Sequence, residues 1–173
     1  KIENLSKNKI LNGSYKNTHL EINKNWNSHD TASKFLGMYE KEIQDEIIEI
    51  QRNKKNQKKY FVNLGAGEGY HLIGLLKKKL FKFGIAYEID PTAKKILKEN
   101  LVKNKISNKA SILNRADENF LEDSFPKNLR AKQGLLALEH IKEEDSNSIE
   151  KEISELLTLY KKGQLMSVVK QAQ

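Results

Sequence analysis

The sequence predicts an α/β fold: a parallel sheet with flanking helices, followed by a C-terminal α-helical hairpin. Three observations carry this. Between residues 60 and 113, short apolar runs alternate with segments of helical periodicity. A strand–helix–strand–helix–strand order of this kind implies two right-handed βαβ units and so a parallel sheet. A cluster of glycines punctuates the first strand–helix junction, and two segments of helical spacing flank Lys162-Gly163 near the C-terminus.

Residues 1–33 are polar, rich in Lys and Asn and weakly periodic, which reads as loop or a loosely packed N-terminal extension. Beyond Phe35-Leu36-Gly37-Met38-Tyr39-Glu40, a helix is expected over 41–52. There Ile43, Ile47, Ile48 and Ile50 fall mostly on one face, suited to covering a sheet edge. Tyr60-Phe61-Val62-Asn63-Leu64 reads as a buried parallel strand. Helical spacing resumes from Tyr70 to Leu80 through Leu72, Ile73, Leu75 and Leu76, and Phe83 to Ile89 is a second strand. Asp90 reads as an N-cap and Pro91 as the opening of a helix running to Asn104, with Ala93, Ile96, Leu97, Leu101 and Val102 inward. Lys109 to Leu113 is a third strand.

After Leu129 the character changes. Gly134-Leu135-Leu136-Ala137-Leu138 is either a fourth strand or part of a helix from Ala131 to Lys142. Ile149 to Lys161 is an amphipathic helix with Ile153, Leu156, Leu157 and Tyr160 on one face, and a second helix starts at Gln164. The expected organisation is an extension at 1–33, a sheet-containing core at 34–130 and a helical segment at 131–173.

The 173 residues suffice for one ordinary domain with a core. There is no cysteine, which excludes disulfides and cysteine-based zinc or redox centres, and no metal site is expected. No apolar run reaches the roughly 18 residues of a membrane helix. Lys1 to Ile10 lacks a signal-peptide core, so a cytoplasmic location is expected. The net charge is +8, but the lysines are scattered among glutamates. They read as a solvated surface, and nucleic acid is not expected as a partner.

The chemistry concentrates in Gly65-Ala66-Gly67-Glu68-Gly69, a GxGxG loop between strand and helix. Glycines there let the backbone turn sharply and a ligand approach closely, and the following helix offers free N–H groups. Glu88 ends the second strand, where a carboxylate can accept hydrogen bonds from ribose hydroxyls. Asp117 follows the third strand, within reach of an adenine amino group or, alternatively, as a loop or helix-cap residue. A dinucleotide fingerprint is GxGxxG; here the spacing is GxGxG, and Glu68 inside the loop would repel a pyrophosphate but not a zwitterion. S-adenosylmethionine, which has no phosphate, is the expected cofactor, held by Gly65, Ala66, Gly67, Gly69, Glu88 and Asp117.

Val62-Asn63-Leu64-Gly65-Ala66-Gly67-Glu68-Gly69-Tyr70, with Ala86-Tyr87-Glu88-Ile89-Asp90-Pro91, resembles class I S-adenosylmethionine-dependent methyltransferases, most of all the FkbM-type group, which methylate hydroxyls. The resemblance extends over roughly residues 34 to 129 and includes Phe35 to Glu42. It implies a Rossmann-like sheet, glycines 65, 67 and 69 along the methionine moiety, Glu88 on the ribose, and methylation of a small-molecule or glycan acceptor. Asn63 departs from the acidic residue many members carry. The family's sheet has seven strands, of which three are clear here and Gly134 to Leu138 would be a fourth. Glu139 and His140 would then stand at that strand's end, His140 as a general base, or be a helical surface pair. The segment from Ile153 resembles the opening of a tetratricopeptide repeat, which implies a protein partner for the C-terminal helices. Two alternatives to the enzyme remain at this point: an incomplete Rossmann-like scaffold that binds protein, and an RNA-modifying enzyme suggested by the charge.

Overall fold

The computed structural model describes residues 2–22, 28–52, 58–117, 120, 134–138 and 168–170. Among them, helices α1 (Ile2–Ser6), α2 (Ser28–Leu36) and α3 (Lys41–Arg52) precede the first strand, β1 (Tyr60–Leu64). Then follow α4 (Tyr70–Lys77), β2 (Phe83–Tyr87), α5 (Pro91–Lys103), a short turn of 3-10 helix at Ser107–Lys109, β3 (Ala110–Leu113), β4 (Gly134–Leu138) and β5 (Val168–Lys170).

The strands form one sheet in the order β3-β2-β1-β4-β5, and every neighbouring pair is parallel. The fold is therefore the expected Rossmann-like one. Its centre is β1, paired with β2 from Tyr60↔Phe83 to Leu64↔Tyr87 and with β4 from Tyr60↔Gly134 to Leu64↔Leu138. The chain moves outward through β2 and β3 and returns to the other side of β1. That reversal opens a crevice beyond the C-terminal ends of the central strands, where ligands bind in open parallel sheets. Gly134 to Leu138 is thus a strand and not part of a helix. Val168–Lys170 is also a strand, which corrects the helix expected from Gln164. Two adjacent β-branched valines suit a sheet better than a helix interior. The first helix of the expected hairpin, Ile149 to Lys161, lies outside the described residues.

Helix α4 is buried along almost its whole length, from Tyr70 through Leu76. A helix with no wet face must be covered on both sides. On one side is the sheet: a Cβ on Gly84 of β2 would come 2.5 Å from Leu72. On the other is the N-terminal segment, where the Tyr15 ring sits flat against Gly74, so that a Cβ there would come 2.4 Å from Tyr15 Cγ. Ile10, Tyr15 and Leu20 are fully buried, which differs from the loose packing expected of this stretch. Sparse apolar residues at irregular spacing hid its role. Tyr15 Oη lies 3.1 Å from His71 Nδ1, and His71 Nε2 lies 2.7 Å from Glu40 Oε2, so a buried polar chain joins this segment, α4 and the α2–α3 corner. In α5, Asp90 is the N-cap, accepting from Thr92 N–H, as the sequence indicates.

Candidate cofactor-binding site

The glycine loop leaves β1 at the switch point of the sheet. Gly65, Gly67 and Gly69 all have positive φ, at 68°, 53° and 88°. The two latter glycines serve different ends. A Cβ on Gly69 would lie 2.3 Å from Leu97 Cδ1 and 3.0 Å from Ile73 Cδ1, so Gly69 lets α4 pack against α5. A Cβ on Gly67 would meet nothing within 4 Å, so Gly67 faces open space. The loop is tied back to the sheet by Ala66 N–H, which donates to the Tyr87 carbonyl at 3.0 Å, and closed by Gly69 N–H to the Ala66 carbonyl at 2.8 Å.

Glu88 follows β2 directly and stands beside Gly67. One carboxylate oxygen accepts the Gly67 N–H at 2.6 Å and the other accepts the Asp90 N–H at 2.8 Å. The side chain therefore fastens the loop to the end of β2. A carboxylate offers about four acceptor positions, so each oxygen keeps capacity for a further donor such as a hydroxyl. Gly65, Ala66, Gly67, Gly69 and Glu88 are thus brought together. Asp117 is exposed, beyond β3, and its carbonyl accepts the N–H of Phe120 at 3.1 Å. Glu139 and His140 directly follow β4 in sequence and lie outside the described residues.

Two residues the sequence did not single out hold the loop in place. Lys34 of α2 donates to the Glu68 carboxylate at 2.6 Å, with 10% and 7% of the two side chains exposed, and its ammonium stands 4.6 Å from the centre of the Tyr39 ring. Asn100 of α5 donates to the Glu68 carbonyl at 3.0 Å. The expectation that Glu68 charges the loop against a pyrophosphate is thereby corrected, because its carboxylate is turned inward and neutralised. The case against a dinucleotide rests instead on position 70. The third glycine of that fingerprint would stand where Tyr70 is, and Tyr70 is 1% exposed, packed edge-on against Tyr15 and Tyr39. The available signal was Asn100 and Asn104, polar residues on the stripe that Ala93, Leu97 and Leu101 turn into the core.

A second polar surface lies at the C-terminal ends of α4 and α5. Lys9 pairs with His19 in an isolated antiparallel bridge, Lys77 Nζ donates to the Asn17 carbonyl at 3.0 Å, and Lys103 forms an ion pair with Glu21. His19 is held below its ordinary pKa by burial first, then by Lys103, Lys9 and Lys77 around it. Burial, with Lys9, also lowers Lys77. Like charges converge here, with Glu21 a single carboxylate between His19 and Lys103.

No protein-family profile and no curated protein matches the sequence, so the FkbM-type and tetratricopeptide resemblances gain no support. Solved structures do resemble the fold. One is the N-terminal domain of human METTL16 in complex with SAH, at 18% identity and a TM-score of 0.48 over 70% of this chain and 49% of that one. Another is an RNA methyltransferase from Salinibacter ruber with S-adenosyl-L-homocysteine, at 18% identity and 0.45 over 68% and 66%. A third is M. capricolum TrmK with S-adenosyl-homocysteine, at 16% identity and 0.44 over 63% and 45%. The chain spans about half of the first and less than two thirds of any of the three. At such identities and TM-scores none of them transfers an activity to this chain. The expectation that nucleic acid is not a partner is withdrawn, since an RNA methyltransferase is among the solved structures that this fold resembles. Lysines scattered in sequence converge in the fold at Lys9, Lys77 and Lys103. Among the described residues, no helix is long and apolar enough to cross a membrane.

Proposed function

We propose that this chain is the cofactor-binding domain of an S-adenosylmethionine-dependent methyltransferase acting on nucleic acid. The observation that carries the cofactor reading is the loop itself: positive-φ glycines at the switch point, Gly67 open to solvent, and the Glu88 carboxylate on its N–H. These residues fit the cofactor. The space a Gly67 side chain would fill is left for its amino-acid part, and the spare acceptor positions of Glu88 suit ribose hydroxyls. When bound, S-adenosylmethionine supplies a methyl group on a sulfonium centre. The chain's contribution is to orient that group toward an acceptor at the sheet's C-terminal edge, where proximity provides much of the rate. Calorimetric titration with S-adenosylhomocysteine is expected to show micromolar-range binding; a folded sample that gives no heat overturns the reading.

The acceptor class rests on the +8 charge and on the cluster of Lys9, Lys77 and Lys103 around His19. Fluorescence anisotropy with an RNA oligonucleotide is expected to show binding whose constant falls, on a logarithmic scale, linearly with the logarithm of salt concentration. Absence of binding even at low salt refutes a nucleic-acid acceptor while leaving the cofactor reading intact.

A further inference from the structure

We infer that Asn100, which bridges Glu21 and the Glu68 carbonyl, is a positioning residue for the glycine loop. The inference rests on the cofactor-binding reading above. Asn100 is fully buried on the core-facing stripe of α5, and Asn104, one turn further, is 9% exposed. A buried amide is costly unless its donors and acceptor are used. Asn100 Oδ1 accepts the Glu21 N–H at 2.8 Å, and its Nδ2 donates to the Glu21 carbonyl at 2.9 Å. Asn104 treats His19 the same way, accepting its N–H at 2.9 Å and donating to its carbonyl at 2.7 Å. Two side-chain amides thus grip an extended segment as a neighbouring strand would. The spacing explains why it works: four residues of helix rise about 6 Å, close to the roughly 6.6 Å that two residues of strand cover.

The two clasps differ in their remaining donor. Asn104 gives its second hydrogen to its own helix, at the Asn100 carbonyl, 2.8 Å away. Asn100 gives its second hydrogen to the Glu68 carbonyl, between Gly67 and Gly69. Glycines impose no preference on a loop, so the shape must be set from outside. Beside the ties at Ala66 and Gly67, Glu68 is a place where that happens: Lys34 fixes its carboxylate and Asn100 its carbonyl. A loop held in its binding shape loses less freedom when a ligand arrives, and binds it more tightly.

The comparison of Asn100→Leu with Asn104→Leu tests this. Each removes one clasp on the N-terminal segment, but Asn100 alone of the two touches the loop. Asn100→Leu is expected to raise the Kd for S-adenosylhomocysteine about tenfold, as one lost buried hydrogen bond permits, and to speed exchange of the Gly69 amide in the free protein. Asn104→Leu is expected to lower thermal stability comparably while leaving the Kd within about twofold and Gly69 exchange unchanged. Asn100→Asp, which keeps the acceptor and loses both donors, gives the same answer if the leucine variant does not fold. Equal effects of the 100 and 104 variants on Kd and exchange overturn the inference. If the wild-type protein takes up no S-adenosylhomocysteine, the cofactor reading fails, and Gly69 exchange still decides whether Asn100 positions the loop.

Discussion

Alanine at Gly67 and at Gly69 separates the two services the loop performs. Both positions have positive φ, 53° and 88°, so each alanine incurs the left-handed penalty of about 1–2 kcal/mol. At Gly67 that is the whole cost to the fold, since an added Cβ meets no atom within 4 Å. At Gly69 the Cβ would come 2.3 Å from Leu97 Cδ1 and 3.0 Å from Ile73 Cδ1. Overpacking of that kind adds about 1–3 kcal/mol. With a Tm shift of about 3 °C per kcal/mol for a domain of this size, Gly67→Ala is expected to lose roughly 3–6 °C and Gly69→Ala roughly 6–15 °C. Ligand binding is expected to rank the variants the other way. The Gly67 methyl enters the open space assigned to the cofactor and should weaken S-adenosylhomocysteine binding about tenfold or more, since glycine there serves close ligand approach. Differential scanning fluorimetry and calorimetry read the two effects. A Gly67→Ala protein that binds S-adenosylhomocysteine as wild type does would refute the placement of the ligand along Gly67.

Glu88→Gln keeps the shape of the side chain but offers one acceptor oxygen to the two N–H groups of Gly67 and Asp90. The loss is expected to be about 1–3 kcal/mol by urea denaturation, with weaker S-adenosylhomocysteine binding; unchanged values in both assays would show that the clasp has no weight. Lys34→Met leaves the Glu68 carboxylate buried without its cation, at a cost of about 3–5 kcal/mol, whereas Lys34→Met with Glu68→Gln should recover most of that. A double-mutant cycle with no coupling contradicts the pairing. The pKa of His19 is lowered from 6.5 by burial and by Lys103, Lys9 and Lys77. The unfolded chain therefore binds more protons below that pH, and the stability present above 6.5 is lost as pH falls through the folded value. Wild-type Tm should drop on acidification and that of His19→Gln should drop less; parallel curves would show that His19 does not couple folding to pH.

The centre of the sheet was legible in the sequence because β1 and β2 are buried beyond their first residue and read as continuous apolar runs. Tyr60–Leu64 is found with those bounds, and Phe83–Tyr87 and Ala110–Leu113 fall within the expected spans. The glycine loop and Glu88 were legible because their backbone demands leave a local signature. What was not legible depends on partners distant in sequence. Lys34 reads as one more surface lysine until α2 meets Glu68. Asn100 stands on the core-facing stripe of α5, but what it holds shows only once Glu21 and Glu68 meet it. The role of Glu68 was misjudged for the same reason, since a carboxylate's meaning depends on whether a cation faces it. Val168–Lys170 was mistaken for helix because a three-residue strand carries too little periodicity to override the helical spacing before it.

The clasp between α5 and the N-terminal segment also bears on how the chain assembles. Glu21 and Asn100 are 79 residues apart in sequence, His19 and Asn104 are 85, and Tyr15 and His71 are 56. At about 5–20 residues per second of synthesis, roughly 4–16 s separate the making of Glu21 from that of Asn100. Until α4 is made, Tyr15 lacks the surface at Gly74 and His71 against which it packs. Residues 19–21, made before the sheet, are then seated after it, closing over α5 once Asn100 and Asn104 exist.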